Sequence, residues 1–188
     1  MQPSVTSALT KALFAEWART GYGALSLEAV AKRAGVGKAA LYRRWPSKLA
    51  MVTDRLQQIG IDVAAVSETP DSGSLSGDVR ALLADLRRLL EHRLVHRILP
   101  DLHAEMLRSP ELASDIRGRL LIQHRERGAT VLQRAITRGE ISADVDLDLA
   151  KDALFGLIYW RMIVSQGPVD DKYLEHLAKF IVAALSAF

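Results

Sequence analysis

Residues 26–48, SLEAVAKRAGVGKAALYRRWPSK, constrain the fold more than any other stretch of the chain. Two short apolar-periodic segments flank a glycine, and Pro-Ser follows the second. This order predicts one short helix stopped by the glycine, a second after it, and a third capped by the serine. Ser26 is placed to N-cap the first, and Glu28 follows in its first turn, where a carboxylate suits the helix dipole. Leu27, Val30, Ala31 and Ala34 fall on one face at helical spacing. Gly35 sits where the helix should stop in left-handed backbone, and Val36 plugs the gap between the helices. Gly37 opens the second segment, whose inward face holds Ala40, Leu41 and Trp45. Lys38, Ala39, Tyr42, Arg43 and Arg44 are left outside. Pro46 ends the segment, Ser47 caps the next helix, and Lys48 stands near its N-terminus, where free backbone N–H groups attract a phosphate.

Two helices joined by a tight turn, the second free to enter a major groove, are a helix-turn-helix. Small residues at Gly37, Ala39 and Ala40 let the start of the second helix approach base edges closely. Tyr42, Arg43 and Arg44 can donate to phosphates, and an arginine can instead fork onto a guanine. An ordinary hairpin with a solvated basic face would need the same glycine turn. The ordered set of cap, apolar face, turn and Pro-Ser-Lys favours DNA. Charge agrees in its distribution, not its sum. The net charge is only +3, yet residues 1–58 carry nine Lys or Arg against three Asp or Glu. The remainder holds 16 of the 25 basic and 19 of the 22 acidic side chains. A basic head on a neutral-to-acidic body fits a duplex reader.

From Leu9 to about Leu56 the chain resembles the N-terminal domain of the TetR/AcrR transcriptional regulators, through FAEWARTGY at 14–22, Leu27 to Val36, and LYRRWPSK at 41–48. That family usually has Ser or Thr where this chain has Gly37 and Ala40, and often His-Phe where it has Arg44-Trp45. Two hydroxyls are missing, so base preference does not carry over, whereas the apolar positions and the turn do. The resemblance implies a homodimeric, all-helical regulator, most often a repressor. In such proteins Ser26, Lys38, Tyr42 and Lys48 match positions that commonly touch DNA. A ligand in the C-terminal domain usually changes the spacing of the two reading heads. It also implies a pocket among the middle helices, with His103, Met106, Leu107, Ile122, Phe155, Tyr159 and Trp160 as candidate lining residues.

Periodicity extends the helical reading along the chain. A first helix is expected from about Val5 to Arg19, and a fourth from Ser47 to about Val66 with Met51, Val52, Leu56, Ile59 and Val63 inward. Ser67 to Gly77 reads as a loop. A helix from Asp78 should be stopped by Pro100 or end ahead of it, with a short one near Asp101–Leu107. Ser109-Pro110-Glu111 starts a helix that can run to Arg138. The last two are expected from Asp146 or Asp148 to about Ser165 and from Asp170 to Ala187. Both are apolar over a wide arc, which buries a helix on two sides. One side is this chain's core; the other fits a second subunit through Leu154, Leu157, Ile158, Arg161, Tyr173, Leu177 and Ile181, or further core in a monomer.

Little points to catalysis. Cysteine is absent, which excludes disulfides and thiolate chemistry. His92 and His96 are four apart, with Asp101, His103 and Glu105 following, which allows a metal-dependent helical enzyme as a competing reading. There is no HExxH, phosphate loop or nucleophile elbow. No run approaches the roughly 20 apolar residues of a membrane span, and the first residues lack a signal-peptide pattern. The expectation is therefore all-α: a three-helix DNA-binding domain at 1–48, then a helical ligand-binding and dimerising bundle at 49–188. The expected partners are an operator duplex, a second copy and an unknown small-molecule effector, in the cytoplasm, with no catalytic residue, cofactor or metal. A regulator governed by protein partners or concentration, with no pocket, is the other alternative.

Overall fold

The computed structural model describes residues 4–64, 68–118 and 122–187, except the side chains of 59–64 and 123. Among the described residues there is no strand. Helices α1 (Val5–Ala24), α2 (Leu27–Ala34), α3 (Lys38–Tyr42), α4 (Lys48–Ala64), α5 (Leu75–Glu91), α6 (Arg93–Arg108), α7 (Pro110–Ile116), α8 (Ile122–Thr137), α9 (Leu147–Tyr159) and α10 (Asp171–Leu185) follow in order, with a π-helical turn at Trp160–Val164. They fall into two compact units. One gathers Met1–Ile61 and Arg93–Leu120, the other Asp62–His92 and Leu121–Phe188.

In the first unit α1 packs on α2 and α6. Leu9, Leu13, Phe14 and Trp17 of α1 meet Val30, Leu41, Met51 and Val52 in one apolar core, which Ile98, Leu102, Leu112 and Ile116 close from α6 and α7. At roughly 1.5–3 kcal/mol for each large apolar side chain fully buried, this core is what fixes the three motif helices. The helical run of α1 breaks at Gly21, whose φ of 76° and ψ of 163° suit glycine alone. Ile59 and Val63, expected on the inner face of α4, lie outside the described side chains.

In the second unit α5 packs against α8, α9 and α10. Val79, Leu82 and Leu83 of α5, Val131 and Leu132 of α8, Leu154 and Ile158 of α9, and Leu177 and Ile181 of α10 are buried in its interior. Two boundaries differ from the sequence expectation. The segment read as loop through Gly77 already belongs to α5 from Leu75 onward, because the Ser74 hydroxyl accepts the Gly77 N–H at 3.2 Å and Leu75 is buried. The cap and the burial outweigh the glycine. The helix expected to end at or ahead of Pro100 ends at Glu91, where His92 takes extended backbone, and Pro100, expected between two helices, lies inside α6. Proline removes one N–H and costs about 3 kcal/mol in a helix interior. Here it sits on an exposed face, where water reaches the freed carbonyl, while Ile98 and Leu102 on either side are buried. The helix expected from Pro110 to Arg138 is described as α7 and α8, with 119–121 outside the described residues. Gly139, at φ 73°, ends α8 as read.

Candidate nucleic-acid interface

The reading surface is built from the turn outward. The Ser26 hydroxyl accepts the Ala29 N–H at 3.4 Å and starts α2. Gly35 then stops it in the left-handed region, at φ 67°. Gly37 opens α3, whose single buried side chain is Leu41, fully enclosed. Burying Leu41 fixes the rotation of α3 about its axis. Gly37, Lys38, Ala39, Tyr42, Arg43 and Arg44 are consequently exposed, and Ala40 is half-buried. Trp45, turned inward, donates its Nε1–H to Asp54 Oδ2 at 2.6 Å on α4, and the Arg55 guanidinium lies 5.3 Å from its ring centroid.

The cations on this surface differ in freedom. Arg43 makes no ion pair with any described residue. Arg44 donates to the Thr6 hydroxyl of α1. Lys38 pairs with Glu28 at 2.9 Å, but both side chains are more than half exposed, so solvent screens the pair and a phosphate can compete for the lysine. Half-buried Lys48 donates to the Tyr22 carbonyl at 2.8 Å. Ser26, exposed, spends its oxygen on the cap and keeps its O–H for another acceptor.

Behind this face is a polar contact that no periodicity suggests. Glu16 of α1 is buried and accepts from Arg19 at 2.5 Å and from Arg33 of α2 at 2.9 Å. The Arg19 hydrogen bond, opposed by burial and reinforced by Arg33, holds its carboxyl below the ordinary value of 4.5. A lowered folded value means that Glu16 stabilises the fold above the unfolded pKa and loses that contribution as pH falls through the folded one. The denaturation-midpoint difference between the wild type and Glu16→Gln is therefore expected to be full at neutral pH and to shrink below about pH 4.5. Equal differences at both ends of the titration would exclude this linkage.

The expected effector-lining residues divide between the two units. His103, Met106 and Leu107 belong to α6 of the first, where Leu107 is 88% exposed. Ile122, Phe155, Tyr159 and Trp160 belong to the second, where Ile122 and Trp160 are also exposed. Phe155 alone of the seven borders a small cavity of about 10 Å³, lined by Leu82, Asp85, Leu86, Leu89, His124 and Arg127 from α5 and α8. That is room for about one water. Arg127 pairs with Asp85 at 2.6 Å, and burial, helped by Arg127, pushes the His124 pKa down. Sequence reasoning misses His124 and Arg127 as cavity residues, because isolated polar residues on a helix carry no spacing signal.

The expected subunit face also divides. Leu154, Ile158, Leu177 and Ile181 point into the chain's own core and are buried there, so they do not lie on an open surface. Arg161 lies 5.3 Å from the Tyr173 ring centroid, and both are half-buried. The large exposed apolar side chains of these elements are Leu147 and Leu149 at the start of α9, then Leu157, Trp160, Val164 and Phe180, of which the sequence pattern places Leu157 on that face. No three His, Asp or Glu among the described residues are grouped to hold a metal. His92 and His96 are exposed, and Asp101 is spent on Trp17 and Tyr22. No described helix is long and apolar enough to cross a membrane.

The family model "Bacterial regulatory proteins, tetR family" matches residues 9–54, and "Tetracyclin repressor-like, C-terminal domain" matches 69–181. The DNA-binding transcriptional repressor TetR of Mycobacteroides abscessus is 30% identical over 167 residues, 89% of this chain and 86% of that one. An HTH-type transcriptional regulator of Mycobacterium tuberculosis is 32% identical over 164 residues, 86% of this chain and 78% of its own. Among solved structures, the TetR family transcription regulator SCO0332 superposes with a TM-score of 0.70 at 29% identity, covering 96% of this chain and 98% of its own. The Flavonoid-responsive Regulator FrrA gives 0.75 at 22% identity, with 96% of each chain covered.

Proposed function

This chain belongs to the TetR family of transcriptional regulators, with a DNA-binding helix-turn-helix at its front, and we propose that it acts as a homodimeric, ligand-responsive repressor of a palindromic operator. The observation that carries this reading is the orientation of α3. Its apolar side is sealed by Leu41, and the outer side presents small residues flanked by Lys38, Tyr42, Arg43 and Arg44. We assign the DNA contacts to Ser26, Gly37, Lys38, Ala39, Ala40, Tyr42, Arg43, Arg44 and Lys48. One short helix touches few base pairs. Two heads related by a twofold axis read half-sites roughly 34–36 Å apart, and linking them multiplies affinity. The exposed Leu157, Trp160, Val164 and Phe180 support a subunit interface on the last two helices. The proposed division of labour is a DNA-binding domain at 1–48 and an effector-binding, dimerising domain at 49–188. The proposed place of action is the cytoplasm, where the operator is, and no enzymatic role is assigned.

Selection of bound sequences from random duplexes tests the reading, with an inverted repeat as the expected result. Tyr42→Ala and Arg43→Ala should weaken binding in anisotropy titrations. For a phosphate-bound side chain affinity falls for every duplex; the loss of Arg43 then lowers the salt slope by about 0.9 per phosphate no longer neutralised, whereas the loss of the neutral Tyr42 hydroxyl leaves the slope unchanged. For a base-reading arginine, discrimination of about 1–3 kcal/mol at one position disappears instead. Unchanged binding in both variants would remove α3 from the interface.

A second reading is favoured by the space beside Phe155, which has room for about one water, whereas the larger groove along α8, bordered by Gln133, Arg134 and Arg138, is open to solvent. A regulator controlled by its own concentration or by a protein partner needs no larger space. For the effector reading, a ligand must part α5, α8 and α9 around Phe155 and His124, and its preference for the parted state would be worth about 1–3 kcal/mol, or five- to 150-fold in operator affinity. Thermal-shift screening followed by operator titration separates the two: a compound that raises the melting temperature and weakens operator binding supports the effector reading.

A further inference from the structure

Lys48 does not reach freely into solvent. Its Nζ donates to the Tyr22 carbonyl at 2.8 Å and to the Gly23 carbonyl at 3.3 Å, and it stands 4.3 Å from the centroid of the Tyr22 ring. An ammonium has three N–H groups, so these bonds leave one for a phosphate. Two carbonyls and a ring face thus decide where the charge stands. All three belong to an elbow, the turn out of α1 at Gly21. What holds the elbow comes from far along the chain. Asp101 of α6 accepts the Tyr22 backbone N–H at 2.8 Å and the Trp17 Nε1–H at 2.6 Å, both on Oδ2. Its Oδ1 lies 3.3 Å from where a Cβ would stand on Gly21, so the carboxylate also closes over the glycine.

We propose that Asp101 is a positioning residue for DNA binding: by fixing the Gly21–Gly23 elbow it holds the Lys48 ammonium where a phosphate meets it. A lysine is a hydrated point charge on a four-carbon stem and loses conformational freedom when it is ordered at a ligand. The elbow meets that cost before DNA arrives. Without the carboxylate, the Tyr22 N–H and the indole N–H are deprived of a charged acceptor, the elbow shifts to find others, and its carbonyls leave Lys48. The inference rests on Lys48 being a phosphate contact, and the test separates the two claims.

The test is the salt dependence of duplex binding for the wild type, Lys48→Gln, Asp101→Ala, Asp101→Asn and the Lys48→Gln/Asp101→Ala double variant. Lys48→Gln is expected to lower the slope of log affinity against log salt by about 0.9 per head, close to two for a dimer. Asp101→Ala should lower it by the same amount, and the double variant no further. Asp101→Asn keeps an oxygen acceptor and should restore most of the slope. A residue that only stabilises the fold changes the folded fraction and leaves the slope alone. A folded Asp101→Ala with the wild-type slope, or a double variant whose deficit is the sum of the singles, overturns the proposal. If Asp101→Ala does not fold, Gly21→Ala decides: a side chain is strained at φ 76° and its Cβ would stand 3.3 Å from Asp101 Oδ1, so the elbow backbone must shift, and an unchanged slope in that chain counts against the proposal. An unchanged slope in Lys48→Gln refutes the phosphate contact itself.

Discussion

Trp160→Glu is expected to turn the proposed dimer into monomers and to weaken operator binding by about 10²–10⁴-fold, the advantage that linking two heads confers. The chain's own fold should be nearly untouched, because Trp160 is 62% exposed and serves no internal core. Leu157 and Trp160 stand three apart, Val164 ends the π-helical turn that Trp160 begins, and Phe180 of α10 is exposed to the same degree as Trp160. Large apolar side chains exposed in this way mark a partner surface. An aromatic anchor at the centre of an interface contributes about 2 kcal/mol or more, and twofold symmetry counts each substitution twice. The two glutamates of a symmetric pair would put charge on a surface that must dehydrate. Sedimentation velocity reads the assembly and anisotropy reads the operator. A variant that stays dimeric with wild-type affinity would show that this face is not the interface. Leu154→Ala is the contrast: it should cost roughly 2–5 kcal/mol of chain stability, since Leu154 is buried within its own unit.

What can be read from residues alone follows a simple physical line. Contacts that recur with helical period are legible. The Ser26 cap, the Gly35 stop, the inward Leu41 and the outward Tyr42 all obey spacing rules within one or two turns, and the structure arranges them that way. The same rules identify which of the last helices are apolar. They do not say which apolar arc faces the chain's own core, and so they group Leu154, Ile158, Leu177 and Ile181 with Leu157 on the partner side. That choice depends on where α5 lies, a tertiary fact. Local signals mislead in two places. Glycine and serine around Leu75 read as loop, though a serine cap, a buried leucine and the Glu140 carboxylate that accepts the Leu75 N–H start α5 there. Pro100 reads as a stop or as lying past one, though an exposed proline with Ile98 and Leu102 buried on either side is carried within α6.

Polar contacts between distant segments are invisible in the sequence for a different reason. Glu16 meets Arg33 across two helices, Arg127 meets Asp85 across 42 residues, and Asp101 meets Trp17 across 84. Each requires a backbone geometry that must exist before the pairing has meaning. In the sequence Asp101 stands out only as a neighbour of His96 and His103, on a possible metal site. Its partners in the fold are an indole and an amide N–H, both donors to the same carboxylate oxygen. The general signal is nonetheless there: an acid inside an otherwise apolar-periodic segment needs a buried donor, and Trp17 supplies one.

Trp17→Ala should be the most damaging single truncation in the first unit, at about 3–5 kcal/mol out of a total that for a domain of this kind is on the order of 5–15 kcal/mol. The ring is 1% exposed, packs on Phe14 with centroids 6.4 Å apart and meets Tyr22 edge-on at 5.6 Å. Its removal leaves a cavity at the centre of the three motif helices and takes one of two donors from Asp101. Trp17→Phe separates these effects, because it keeps most of the ring and gives up only the Nε1–H bond to a carboxylate, worth about 1.5–3 kcal/mol. Urea denaturation followed by far-ultraviolet circular dichroism, which does not rely on the missing indole, measures both. The two compact units have separate cores, so the alanine variant is expected to melt in two steps, with the first unit and operator binding failing ahead of the second. A single transition displaced by less than about 1 kcal/mol would mean that α1 is held mainly by its other apolar side chains and that the indole is not the keystone of the reading head.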